Sequence, residues 1–258
     1  MQIWVKLPDL EGRKSGFPSR SIVWFGETGV LGCDPGWRRR FRGWMDRLAE
    51  RRDRTERRGA ATTDRILATA ERLFGTYGIE AVSMRQITIE SGASNNSAIA
   101  YHFGDRDNLA REIWRHRLPA LEIARAAMLH DIVEAGRQDD PHALARALVM
   151  PAFALVDGDG RHRYAAFLRQ ALRWTRGRVL RAEAMDLSPS SATGFAMFRR
   201  LFADVSEDLF QWRSLAATGL FFDLVFDRDC DIAEGLPVMD EKTFIDEAIK
   251  LFVACCQA

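Results

Sequence analysis

Residues 91–109, SGASNNSAIAYHFGDRDNL, crowd serine, asparagine, tyrosine and histidine into one short span and then turn charged. Asparagine can donate and accept at once against an adenine edge, and serine and tyrosine hydroxyls reach phosphates or base edges. Groups able to read a nucleic acid therefore sit together on a segment with little core of its own, since Ala98 and Ile99 are its apolar docking positions. An isolated NNS reads as a polar loop or a helix cap. The flanking elements decide between these readings.

Those elements are well marked. TTDRILATAERLFGTYG, from residue 62, opens on threonine cap candidates, runs apolar at Ile66, Leu67, Ala70, Leu73, Phe74 and Tyr77, and stops at Gly78. Ser83-Met84-Arg85-Gln86 reads as a capping box that opens a second helix with Met84 and Ile87 inward, ending at Ser91-Gly92. Ser94 then caps a third short helix, Asn95 to Tyr101. Two short helices joined by a glycine-containing turn and braced by an earlier one make a helix-turn-helix, whose second helix lies in the DNA major groove. In that setting the third helix is polar because its partner is polar.

Ile66, Ala70, Leu73, Phe74, Gly78, Val82, Ser83, Ile87, Gly92, His102, Phe103, Arg106 and Leu109 follow an ordered pattern. It runs helix, glycine-hydrophobic-serine, isoleucine to glycine, aromatic-histidine-phenylalanine, then a basic residue before leucine. In this, residues 62 to about 110 resemble the DNA-binding domain of the TetR (tetracycline repressor) family of bacterial transcription regulators. The resemblance implies that Ser94, Asn95, Asn96 and Ser97 read bases or phosphates. It also implies that Ser83 and Arg85 approach the backbone and that Arg106 meets a phosphate at the start of a fourth helix. The chain departs from the family at Thr88 and Ser91, where alanine is usual. The Gly92-to-Phe103 span is one residue longer, so Ala100 takes the place of the usual phosphate-contacting tyrosine. Tyr101, next along, either contacts the DNA backbone at a shifted angle or packs on His102. His102 either donates to a phosphate or holds the third helix against Phe103, itself a core position.

The rest of the chain has to carry that segment. At 258 residues, 47% hydrophobic, 28% charged and net charge +1, it has material for a sizeable core. Residues 38–58 hold ten arginines against four acidic residues, leaving the remainder net negative. This run is either an arm contacting DNA beside the helix-turn-helix or a solvated tail whose Glu50, Asp53 and Glu56 pair along a nascent helix. Residues 1–58 are expected to be a poorly ordered extension, with 1–44 arising from a start assigned upstream of Met45. The helix-turn-helix domain is expected over 59–107 and a larger effector-binding and dimerisation domain over 108–258. There Asp105 caps a helix that Pro119 should kink or split. Further helices are expected over 141–156, 162–176, 191–204, 209–227 and 241–256, giving an all-α fold.

LFQWRSLAATGLFFDLVF is apolar on nearly every face, and FIDEAIKLFVACC has a broad apolar stripe. A helix apolar all round must be covered on all sides. Packing within one subunit would cover part of them; by resemblance these two segments also form a homodimer interface, with Leu215, Leu220, Phe222, Phe244, Ile245, Ile249 and Phe252 its candidate residues. Met150, Phe153, Phe167, Trp174 and Phe198 are candidates for a small-molecule effector pocket or for ordinary core. Cys33, Cys230, Cys255 and Cys256 lack zinc-site or disulfide spacing, so no metal and no cofactor are expected. No eighteen-residue apolar run and no signal-peptide order occur, which predicts a cytoplasmic, nucleoid-associated protein without membrane contact. The scattered histidines, among them His162 beside Arg163 and Tyr164, match no acid–base constellation, so an enzyme is the weakest reading. The family resemblance implies a homodimer that binds a palindromic operator in double-stranded DNA, represses, and is released by an effector. A nonspecific DNA-binding or interaction protein is the alternative.

Overall fold

The structure, a computed structural model, describes residues 61–93, 103–177, 179, 183 and 186–257, together with Phe25, Gly26, Gly29 and Val30. The chain divides into two units, Met1–Ala60 and Ala61–Ala258. In the first, β1 (Phe25–Gly26) and β2 (Gly29–Val30) form a small antiparallel pair, Phe25 opposite Val30 and Gly26 opposite Gly29. The sequence reading did not anticipate it, because two-residue strands are too short to show an alternation. The arginine run of residues 38–58 and the expected start at Met45 lie outside the described residues.

The regular elements among the described residues of the second unit are helices joined by short links. Helix α1 covers 61–77 and buries Ile66, Leu67, Ala70, Leu73 and Phe74. It is already helical at residue 61, so Thr62 and Thr63 lie inside it rather than capping it; Ala61 is a strong helix former. Tyr77, expected on the apolar face, is 60% exposed because the helix stops one residue later. The stop is Gly78, whose φ of +91° suits glycine and whose N–H donates to the Phe74 carbonyl at 2.9 Å.

After α2 (Met84–Glu90) comes α3 (Arg106–Glu134), capped by the Asp105 carboxylate, which accepts the Asn108 N–H at 2.8 Å. Pro119 lies within α3 without splitting it, contrary to one of the sequence expectations. Proline removes one amide, but Ile113, Leu118 and Leu121 are buried around it and packing keeps the helix continuous. The boundary expected at 107/108 falls inside this helix, and core residues of α1, α2 and α3 belong to one continuous cluster with those of the later helices.

Then follow α4 (Pro141–Phe153), α5 (Arg163–Arg173), α6 (Pro189–Arg200), α7 (Glu207–Ala233) and α8 (Glu241–Gln257). Helix α4 is the hub, packing against α3, α5, α6, α7 and α8. Its sequence PHALARALVMPAF permits this, since small residues let neighbours approach from several sides. Helix α7 runs longer than expected because its last turns, DRDCDIA, are polar and escape a reading that follows apolar spacing. It lies on α5 and α8, with Arg169 of α5 pairing with Asp223 at 2.7 Å.

Candidate nucleic-acid interface

Ser83, expected to approach a nucleic-acid backbone, is the N-cap of α2, and its hydroxyl accepts the Gln86 N–H at 3.1 Å. Only this half of the expected capping box forms, because the Gln86 amide turns the other way and donates to Glu90 at 3.0 Å. Glu90 also takes the Arg72 guanidinium of α1, and this bond, joined by the one from Gln86, holds the Glu90 carboxyl below the usual carboxylate range. The end of α2 is thereby tied to α1. Ile87 is fully buried between them, and Arg85 is exposed on the opposite face.

Thr88 and Ser91, the departures from alanine, are both buried without a polar penalty. Each hydroxyl donates back to its own helix, Thr88 to the Met84 carbonyl at 2.8 Å and Ser91 to the Thr88 carbonyl at 3.2 Å. The chain then turns at Gly92, φ +62°, where Ala93 N–H returns to the Thr88 carbonyl at 3.2 Å. A left-handed residue is what ends α2 and frees the chain to start a new direction.

Ser94, Asn95, Asn96, Ser97, Tyr101 and His102 lie outside the described residues. Description resumes at Phe103, which is buried as expected. Arg106 lies at the start of α3, and its guanidinium donates to the Glu80 carbonyl at 2.7 Å, bracing the α1–α2 link. An open concavity of about 500 Å³ adjoins this joint, lined by Phe103, Gly104, Asn108, Arg111, Glu112, Arg115 and Glu183. Its ions already pair, Arg111 with Glu183 at 2.7 Å and Arg115 with Glu112 at 2.8 Å.

The candidate effector residues fall into separate aromatic groups. Phe198 packs with Phe202, Phe210 and Phe252, its ring 4.9 Å from that of Phe202. Phe167 meets Phe74 of α1 at 6.5 Å and Tyr164 at 5.9 Å. Phe153 stacks on His162 at 4.3 Å. Trp174 is buried at the end of α5, and Met150 is half-buried against the core. Of the candidate dimer residues, Phe222, Phe244, Ile245, Ile249 and Phe252 are buried within the subunit, while Leu215 and Leu220 remain exposed.

Sequence reasoning missed three buried polar arrangements. Arg117 gives two hydrogen bonds to Glu71, at 2.7 and 2.8 Å; burial pushes the Glu71 carboxyl up, and those bonds work against the rise. His162 sits against Asp229, 2.8 Å from Nδ1, and its backbone N–H donates to the same carboxylate at 2.7 Å. Arg125 is buried between α3, α4 and α6. The sequence signal was an arginine or glutamate on an otherwise apolar helical stripe, as Arg125 is between Leu121 and Leu129. Among the described residues, no group of three or more His, Cys, Asp or Glu could hold a metal ion, and no helix is long and apolar enough to cross a membrane.

Against known proteins, the family model described as bacterial regulatory proteins, tetR family, matches residues 66–113, which run from α1 into α3. No curated protein matches the chain. A crystal structure assigned to the TetR family of transcriptional regulators, from Mesorhizobium loti MAFF303099, aligns at 16% identity with a TM-score of 0.38, covering 76% of this chain and 97% of that one. A second structure, assigned as a TetR-family regulator from Vibrio parahaemolyticus, aligns at 20% identity with a TM-score of 0.37, covering 75% and 97%.

Proposed function

We infer that this chain, whose residues 66–113 carry the N-terminal region of the tetR family of bacterial regulatory proteins, is a sequence-specific DNA-binding transcriptional regulator. It acts as a homodimeric repressor on a palindromic operator and is released by a small-molecule effector. The observation that carries the reading is the frame around residues 94–102. On one side α2 is capped by Ser83, pinned to α1 through Arg72 and Glu90, and ended by Gly92. On the other, Asp105 caps α3 and Arg106 reaches back to Glu80. A rigid frame at both ends suits a short polar helix offered to a groove. In this reading Asn95 and Asn96 read base edges, Ser94 and Ser97 read bases or phosphates, and Ser83, Arg85, Tyr101, His102 and Arg106 face the phosphates.

Dimerisation is supported by what α7 and α8 leave uncovered. Trp212 is 70% exposed, and Leu209, Leu215, Leu220 and Leu251 are also exposed on this helix pair. At Gly219 an added Cβ would meet nothing within 4 Å. A second copy covers that face, and two recognition helices related by a two-fold axis read two half-sites. Footprinting on the DNA upstream of its own gene tests the function. Protection of one segment with two-fold symmetry supports it, and protection that follows no sequence contradicts it.

A further inference from the structure

Residues 173–181, RWTRGRVLR, hold four arginines and no acidic residue. The run begins at the end of α5, in the helical body, and lies well outside residues 66–113 that match the family model. Exposed arginines on a solvated surface are ordinary, and what they do depends on what they stand beside.

Trp174 and Gly177 are buried, and the Gly177 N–H donates to the Trp174 carbonyl at 2.8 Å. This turn leaves Arg176 outside, 71% exposed, and brings it to the first turn of α3, where it pairs with Asp107. Asp107 directly follows Arg106, the residue expected on a phosphate, so a body arginine reaches the edge of the candidate nucleic-acid interface. An arginine this exposed keeps N–H donors in water while one carboxylate holds it in place.

The acids nearby are already engaged. Arg173, 59% exposed, shares the Asp223 carboxylate with Arg169, which pairs there at 2.7 Å. Glu183, the next acid along the chain, takes Arg111 at 2.7 Å. Three arginines, Arg169, Arg173 and Arg176, thus meet two carboxylates, Asp223 and Asp107, before Arg178 and Arg181 add their charge. An uncovered Asp107 would repel a phosphate brought to Arg106. Arg176 laid over it cancels that repulsion and places a further cation beside the same phosphate row.

We propose that residues 173–181, led by Arg176, form a second contact with the DNA backbone, through which the helical body itself grips duplex phosphates beside the segment read by the helix-turn-helix. The contact is blind to sequence and acts by releasing counterions. It deepens the regulator reading and rests on it for the place of the DNA.

Anisotropy titrations of the full-length protein on DNA from its upstream intergenic region and on a scrambled duplex, over a salt series, test the grip. Arg176→Gln should weaken both complexes about fivefold at physiological salt and lower the slope of log affinity against log salt by about one. Arg176→Lys should restore most of the loss, because a phosphate accepts any well-placed cation. Asp107→Asn, which removes the opposing charge, should strengthen both complexes. A slope unchanged in Arg176→Gln, whatever happens to its Tm, overturns the proposal, and so does a loss that lysine fails to restore. The two readings fail separately. Equal binding of both duplexes by wild type, with the slope lowered in Arg176→Gln, supports the grip and removes the specific regulator. Preference for the intergenic duplex, with Arg176→Gln indistinguishable from wild type, keeps the regulator and removes the grip. Wild type that binds neither duplex removes both.

Discussion

At the residue scale, the frame and the reader do different work, and substitutions separate them. With Asn96 proposed as a base reader, Asn96→Ala should weaken binding to the operator by about 1–3 kcal/mol while leaving random-sequence DNA nearly unaffected. Equal losses on the two DNAs in a competition titration would remove Asn96 from base reading. Arg106→Ala should weaken both DNAs alike and reduce the slope of log affinity against log salt by about one. It should also lower Tm, because the guanidinium braces the Glu80 carbonyl in the free protein. The buried hydroxyls of Thr88 and Ser91 show why a departure from alanine is tolerated at this scale: each finds a carbonyl about one turn back.

At the element scale, the close approach of α1 to α5 is set by a residue without a side chain. Gly75 is buried, and a Cβ there would sit 3.0 Å from the Ala166 Cβ and 3.0 Å from the Phe167 backbone nitrogen. Backbone cannot yield as a side-chain end can, so Gly75→Val should cost about 1–3 kcal/mol in chemical denaturation; an unchanged midpoint would mean that α1 and α5 slide freely. Helix α4 gives a pH-dependent case. Burial raises the Asp140 pKa, but the Arg137 side chain and the Ala143 and His142 amides outweigh it and hold the carboxyl below the usual range. A depressed folded-state pKa means stability present above the unfolded value and lost as pH falls through the folded one. Asp140→Ala should therefore cost about 1 kcal/mol at neutral pH, shrinking below about pH 3.9, as denaturant midpoints over a pH series would show. Elements of this kind were legible in the sequence because capping and apolar spacing are local: Ser83, Asp105, Gly78 and the stripe of α1 all mark themselves. The persistence of α3 through Pro119 and the polar end of α7 were not, because packing and length decide them.

At the scale of the whole molecule, the apolar faces separate core from contact surface in a way that composition could not. The sequence marks α7 as apolar all round, yet the helix enclosed on most sides is α4, while α7 keeps Trp212 and its leucine neighbours in water. Five of the seven candidate dimer residues turn out to serve the subunit's own core. Whether an apolar residue faces its own subunit or a second one depends on rotation about the helix axis, which no local pattern records. The Glu71 and Arg117 pair was illegible for a related reason, since its members lie on different helices, far apart in sequence. In the proposed dimer a second copy covers Trp212, so Trp212→Asp should give a folded monomer by sedimentation with unchanged helical content, and DNA affinity should fall with the proposed second half-site. A variant that remains dimeric would move the interface away from this face. Fluorescence anisotropy on DNA from the upstream intergenic region, against a scrambled duplex over a salt series, decides whether the protein reads sequence. Affinity for one segment should exceed that for the scrambled control by about 4–10 kcal/mol at physiological salt. Weak, equal and salt-steep binding to both would contradict it.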